Sequence, residues 1–339
     1  MQTKLVYVLT CAPEATYIEQ ALISIWSARY HNPDAHIVLL VDDLTDQLLV
    51  GKRAEVLEYI TEKVIVPFED NNATMMYRSR WIKTQVRQLV KGDLLFIDCD
   101  TIITQSLSEI DECNNDVAMV LDEHLQVNEY NDDLKRYIQS NSLKLGYDVL
   151  NEKEYFNSGV IYSKDSDKAN ELWKLWHKYW CNGEQNGVPI DQPALGLANL
   201  HSYHMIQQLP QTWNTLVYMN PIFIANGKIL HFWNFRNKSF IFCNVFLKYV
   251  RKFGLTIYVK ECVLNPLKSI LPFDNILSIT PILGFFKYAI AIRSEREKYA
   301  KYVDEHFVDF PWNSHYSLFK KYVKIKILRK DRYPDVYYS

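Results

Sequence analysis

Three short apolar runs that each end in acidic residues constrain this chain most: HIVLLVDD (36–43), LLFIDCD (94–100) and DVAMVLDE (116–123). Unbroken aliphatic runs of that length read as strands buried on both faces, which is the pattern of a parallel sheet covered by helices. KLVYVLT (4–10) is a fourth run, and VIVPF (64–68) is a shorter one. Helical segments lie between them. TYIEQALISIWSARY (16–30) places Ile18, Leu22, Ile25 and Trp26 on one face, and residues 51–63 and 77–90 also read as helices. The alternation predicts an α/β protein built from βαβ units around a mostly parallel sheet. Ligands of such sheets bind beyond the carboxyl ends of the strands, and Thr10, Asp42, Asp43, Asp98, Asp100 and Asp122 all fall there.

Further along, residues 123–154 read as a polar loop and helix beside that rim. YFNSGVIYS (155–163) returns to strand, and DKANELWKLWHKYW (167–180) is an aromatic-rich helix. Beyond KILHFW (228–233) the composition changes. Residues 1–235 carry 19 Lys and Arg against 31 Asp and Glu, a net of −12, whereas residues 236–339 carry 19 against 9, a net of +10. The overall charge of −2 hides this division, which predicts a catalytic α/β region (1–235) and a basic, aromatic, mainly helical extension (236–339). An acidic first region repels a polyanion, so nucleic acid is not an expected partner. The 6 cysteines are scattered without a CxxC pair; they predict neither a disulfide framework nor a zinc site and suit a reducing compartment. With no secretory leader pattern before the first strand, the expected location is cytoplasmic.

The stretch LLFIDCDT explains why two carboxylates should stand one residue apart at a strand end. Where the chain turns, Asp98 and Asp100 converge on one cation, and their hard oxygens suit Mg²⁺ or Mn²⁺ with positions left open for phosphate. A dication there neutralises a diphosphate leaving group, which is the chemistry of breaking a sugar–diphosphate bond. The plainer alternative has Asp98 capping the next turn and Asp100 solvated.

With those residues the chain resembles a retaining GT-A glycosyltransferase of the family 8 type, the group of glycogenin and of bacterial lipopolysaccharide galactosyl- and glucosyltransferases. The likeness covers about residues 4–233. LLFIDCDT is similar to the family's strand and metal-binding DxD, YFNSGVIYS to its N-[SA]-G-V strand, PIDQPAL to its Asp-Gln pair at a helix start, LPQTWN to its L-P-x-x-[WYF]-N turn, and KILHFW to its final I-x-H-F segment. The resemblance implies a Rossmann-like GT-A fold and a hexosyltransferase using a UDP-sugar, with galactose or glucose as the sugar. It implies a metal held by Asp98, Asp100 and His231, for which an imidazole ligand favours Mn²⁺ over Mg²⁺. Asn157 and Ser158 fall beside the donor sugar, where Gly159 lets backbone pass close to it. Asp191 and Gln192 match the pair beneath the anomeric carbon, although Asp191 also stands where a helix N-cap would. Arg80 and Lys83 occupy the place of basic donor-binding residues, or else the exposed face of an amphipathic helix. Thr10 and Tyr17 are the candidate base contacts.

Two departures from the family pattern stand out. HFWNFRNKSF puts Asn234 where the family has glycine and lacks its Pro-Trp, leaving Lys238 and Arg236 as competing diphosphate contacts; and the turn LTCAPEATY lacks the family's Asn. That turn also contains no glycine between Leu9 and Tyr17, which disfavours the alternative of a sugar-phosphate nucleotidyltransferase, whose triphosphate needs a glycine-rich loop. The other alternative, an inactive sugar-nucleotide-binding protein, sits poorly with an intact Asp98, Asp100, Asp191 and His231. Retention is open to two routes: two displacements through Asp191 as nucleophile, or front-face attack in which Gln192 supports the developing charge.

The acceptor is expected to be a surface glycan or its lipid-linked precursor, with Glu123, His124 and Tyr130 of the 123–154 insertion as candidate groove residues or parts of a structural loop. In the basic extension, FLKYVRKF (246–253) and FKKYVKIKILRK (319–330) interleave cations with apolar residues. Pro281 and Lys287 break the best apolar run below the 18 or so residues that a spanning helix needs. Peripheral contact with an anionic inner membrane surface through residues near 246–253 and 316–333 is the expectation, against a helical subdomain packed on the core.

Overall fold

The protein is described by a computed structural model covering residues 1–68, 73–217, 226–233, 241–242 and 244–266. Its centre is a seven-stranded sheet made of β1 (Lys4–Leu9), β2 (Ile37–Asp42), β3 (Glu62–Val66), β4 (Leu94–Ile97), β6 (Val117–Leu121), β7 (Phe156–Ser163) and β8 (Gln207–Gln208), in the order β3-β2-β1-β4-β7-β6-β8. The first four of these are parallel, β7 runs antiparallel between β4 and β6, and β8 lies parallel to β6. A second sheet of three short strands, β5 (Thr101–Ile103), β10 (Ile229–His231) and β9 (Thr215–Leu216), stands beside it. The mostly parallel α/β arrangement expected from the sequence is the one observed.

Both faces of the large sheet are covered, as the unbroken apolar runs require. Leu5, Tyr7, Leu9, Leu39, Val41, Leu95 and Ile97 point to one side and pack with α1 (Tyr17–His31). Val6, Val8, Val38, Leu40, Leu94 and Phe96 point to the other. There they meet α3 (Met75–Lys83), α4 (Val86–Leu89), α6 (Asp167–Gln185) and α7 (Gln192–His201), with Trp173, Trp176 and Trp180 of α6 fully buried. A two-residue period within each strand thus serves two cores.

Several boundaries differ from the sequence reading for local reasons. The segment 51–63 is a 3-10 helix at Gly51–Glu58 followed directly by β3. The expected helix over 77–90 divides at Thr84 and Gln85, where the Thr84 hydroxyl donates to the carbonyl of Arg80 and offers the backbone an alternative to the helical ladder. A short α2 (Asp43–Asp46) follows β2, and the 123–154 insertion is a set of turns around α5 (Asp132–Lys144).

After β10, α8 (Asn244–Phe253) and α9 (Ile257–Leu264) return to the α1 side of the sheet. Phe246, Leu247, Val250, Val259 and Val263 are buried in the same core as α1. Arg251 pairs with Glu19 at 2.9 Å, and Arg53 reaches the same buried carboxylate at 2.7 Å. The change in composition after residue 235 therefore begins before the chain leaves this core. FLKYVRKF (246–253) spends its apolar face on packing, and among described residues that segment presents mainly Lys248, Lys252 and Phe253 outward. Segment 319–330 lies outside the described residues, as do Asn234, Arg236 and Lys238. Among described residues no helix is long and apolar enough to cross a membrane.

Candidate active site

Asp98 follows β4 directly, and its backbone N–H donates to the carbonyl of Gly159 on β7 at 2.8 Å. The chain then turns through Cys99 and Asp100 into β5, which leaves the large sheet to pair antiparallel with β10, bringing His231 opposite Thr101. The change of sheet makes the site: a DxD that ended in an ordinary strand would not meet a histidine 131 positions later. Ligand atoms of Asp98, Asp100 and His231 all lie within 4.8 Å of one another, and His231 Nε2 is 3.3 Å from Asp100 Oδ1.

These residues fit a divalent ion on two observations. Nε2 of His231 is buried, makes no hydrogen bond and faces Asp100 Oδ1 at 3.3 Å, and a bound ion would satisfy it there. Burial also pushes the Asp98 carboxyl up, with Lys83 opposing and the like charge of Asp100 adding to the shift, a repulsion that a bound dication would relieve.

Asp191 lies next to this group. It stands at the N-cap position of α7 but makes no cap hydrogen bond. Instead Oδ2 accepts from Ser158 Oγ at 3.0 Å and pairs with Lys83 Nζ at 3.2 Å, and Oδ1 lies 3.2 Å from Arg80 Nε. Burial works against its charge, yet Lys83, Arg80 and Ser158 together hold its pKa down to about 2. Lys83 is 4% exposed and also lies 3.4 Å from Asp98, so one buried ammonium links the DxD to Asp191. Lys83 is thus buried and Arg80 half-buried at the rim, both paired with Asp191. Gln192 begins α7 near Asp122, which accepts from Asn157 Nδ2 at 2.9 Å.

Gly159 also lies against His231. A Cβ built on it would lie 2.3 Å from Cε1 of His231; the missing side chain makes room for the imidazole ring. At the other end of the rim, the Thr10 hydroxyl donates to the carbonyl of Met75 at 3.1 Å, which ties β1 to the start of α3. Tyr17 opens α1 and packs half-buried against the core. Neither is joined to the Asp98–Asp191 cluster by any of these bonds. Asp42 is also separate: it caps α2 through Thr45 N and is paired with buried Arg78.

Three site residues escaped sequence reasoning as members. Asp122 is a third acid-ended strand, seen at the rim but given no partner. Asn214, in the LPQTWN turn, is fully buried and touches both His231 and Asn157. His124 donates through Nε2 to the carbonyl of Asn214 at 2.8 Å, and burial lowers its pKa to about 4. Both Glu123 (φ 55°) and His124 (φ 58°) have left-handed backbone, a conformation non-glycine residues hold only where the surroundings impose it.

The mostly parallel sheet, the two-carboxylate–histidine cluster at its rim and the lysine that links Asp98 to Asp191 are the arrangement expected of a GT-A glycosyltransferase. The sequence profile of glycosyl transferase family 8 matches residues 9–239, and the chain belongs to that family. Among solved structures, the chain is similar to the galactosyltransferase LgtC crystallised with donor and acceptor sugar analogues. Identity there is 13%, with 68% of this chain and 86% of that one covered and a TM-score of 0.44. It is similar also to mouse xyloside xylosyltransferase 1 (14% identity, 68% and 97% covered, TM-score 0.45). A third similar structure is the glycosyltransferase GlyE of Streptococcus pneumoniae (14% identity, 78% and 63% covered, TM-score 0.46). No curated protein is significantly similar to the chain.

Proposed function

We propose that this glycosyltransferase moves a hexose, galactose or glucose, from a UDP-sugar to a surface glycan or lipid-linked saccharide with retention of configuration, in a metal-dependent reaction. The observation that carries the reading is the Asp98–Asp100–His231 cluster joined through Lys83 to Asp191. A Mn²⁺ or Mg²⁺ ion held by those three residues would supply positive charge to the diphosphate as it departs. Lys83 and Arg80 place two further cations beside the same region, and the negative Asp191 is set where positive charge grows at the anomeric carbon.

Front-face attack is the better supported route. Both Asp191 oxygens are engaged, one by Arg80 and the other by Lys83 and Ser158, so the carboxylate is poorly free to form a covalent bond. In the front-face route the bond from C1 to the diphosphate oxygen breaks, the acceptor oxygen bonds C1 on the same face, and its proton passes to the departing diphosphate. Asp191 then acts through its charge, and Gln192 helps to position the sugar.

The 123–154 insertion is the proposed acceptor side, because Tyr130 donates to the carbonyl of Asp122 at 3.1 Å and fixes the insertion against the rim. Contact with an anionic membrane, if the acceptor is lipid-linked, rests on residues 316–333. Nucleoside diphosphate release from UDP-glucose, UDP-galactose and UDP-xylose, measured with and without Mn²⁺, tests the assignment. Mn²⁺-dependent release from one of the two hexose donors is expected; equal release without metal, or release only from the pentose donor, would count against it.

A further inference from the structure

A histidine binds a metal through whichever ring nitrogen lacks a proton, so something must fix the tautomer of His231 if Nε2 is to be the ligand. Three hydrogen bonds decide it, and a fourth agrees. The N–H of Gly159 lies 3.0 Å from Oδ1 of Asn157. A backbone N–H can only donate, so the atom it meets must be the amide oxygen of Asn157. The Asn157 amide nitrogen then faces Asp122 Oδ1 at 2.9 Å, which agrees with a carboxylate acceptor, though the assignment holds whatever proton Asp122 carries. The same Asn157 oxygen lies 2.8 Å from the amide group of Asn214. Since that oxygen has lone pairs only, Asn214 must present its Nδ2, which turns its own oxygen toward His231 Nδ1 at 2.9 Å. An amide oxygen has no proton to give, so Nδ1 must carry the hydrogen and Nε2 is left with its lone pair.

We infer that Asn214 is a positioning residue: it holds His231 in the Nδ1–H tautomer, with its own orientation dictated through Asn157 by the backbone N–H of Gly159. Nε2 is buried 3.3 Å from Asp100 Oδ1, and a ring with its hydrogen on Nδ1 offers that side a lone pair. Full burial of Asn214 keeps water from substituting for its oxygen, and its backbone carbonyl is held in turn by His124 at 2.8 Å. Hydrogen bonding of a ligand histidine's other nitrogen fixes ring orientation and raises ligand basicity, with typical losses of about 10–100-fold in metal affinity when it is removed. Gly159 thereby serves His231 twice, by leaving space for the ring and by setting the direction of the relay. The inference rests on reading Asp98, Asp100 and His231 as a cation site.

The direct test needs no variant of Asn214. Full-length protein carrying ¹⁵N-histidine is examined metal-free near pH 8, where an ordinary imidazole is neutral, by two-bond ¹H–¹⁵N correlation, and the His231 signals are identified by their loss in His231→Ala. The expected result is a proton on Nδ1; a proton on Nε2 overturns the inference. In parallel, Mn²⁺ affinity is measured by electron paramagnetic resonance. Asn214→Leu, which has no acceptor, should bind about 10–100-fold more weakly. An Asn214→Leu protein that folds and binds as tightly as wild type also overturns the inference. The Nδ1–H tautomer in a wild-type protein that binds no Mn²⁺ would support the relay and count against the cation reading alone.

Discussion

Two of the acid-ended strands of the central sheet, β2 and β4, are treated by the chain in opposite ways. At the end of β2, Asp42 is fully buried, caps a helix and is paired with Arg78, so its charge is answered by the protein. At the end of β4, Asp98 and Asp100 face each other and a histidine, with one shared lysine at 3.4 Å from Asp98. Asp42 after β2 locks the edge of the rim, whereas the acids after β4 gather with His231. An acidic strand end is therefore not a functional signal in itself; what matters is whether the protein has already neutralised it.

Substitution at the two strand ends should separate these roles. Asp100→Asn removes a proposed ligand and relieves repulsion with Asp98. It should cost about 10²–10³-fold in transfer rate and leave the thermal midpoint unchanged or raised, as followed by donor turnover and circular dichroism. Asp42→Asn should do the reverse, because an unpaired buried Arg78 costs about 3–5 kcal/mol of stability, read by urea unfolding, while Mn²⁺ affinity of the folded protein is kept. If Asp42→Asn instead abolished metal binding, the contrast would collapse.

Gly159→Ala sharpens the picture from the β7 side. Its methyl group would sit 2.3 Å from the His231 ring, so the ring must move, and a loss of about 10–100-fold in Mn²⁺ affinity is expected. Wild-type affinity would show that His231 is not held where the site needs it.

A smaller effect concerns pH. Asp191 has its pKa lowered to about 2 by Lys83, Arg80 and Ser158 against the opposing effect of burial. Its ionised form thus stabilises the fold above the ordinary carboxylate range, near pH 4, and that contribution disappears as pH falls toward 2. Asp191→Asn should lose less stability than wild type across that window, by on the order of 2 kcal/mol; identical acid unfolding curves would contradict the ion-pair geometry. Smallest of all should be Cys99→Ala. The thiol between the two aspartates donates to the carbonyl of Val8 at 3.3 Å, and its removal should cost about 0.5–1.5 kcal/mol of stability with most activity kept. Loss of turnover would give this thiol a part in the chemistry.

Much of the fold was legible because buried parallel strands announce themselves as unbroken apolar runs, and the helices between them carry an apolar face. The Asp98–Asp100–His231 grouping was legible only through its resemblance to a family, since no local rule relates position 98 to position 231; the β5–β10 pairing that joins them belongs to tertiary structure. Lys83 could be placed in the site but not in its role, because one-dimensional spacing cannot distinguish an exposed amphipathic face from an ammonium 4% exposed between two carboxylates. Asn214 was hidden for a further reason. An asparagine in a turn has an adequate local explanation as a turn former, and only its two long-range bonds show that it serves a histidine. The reading of 246–253 as a membrane-facing segment illustrates the converse. Its amphipathic pattern is real, but the apolar face is already used by α1.

The central claim is that Asp98, Asp100 and His231 share one divalent ion while the acids after β2 hold none. Mn²⁺ binding measured by electron paramagnetic resonance on wild type, Asp100→Asn, His231→Ala and Asp42→Asn addresses it in one experiment. The account predicts one site per chain in wild type and Asp42→Asn, and its loss or strong weakening in the other two. Undiminished Mn²⁺ binding by Asp100→Asn and His231→Ala would contradict it.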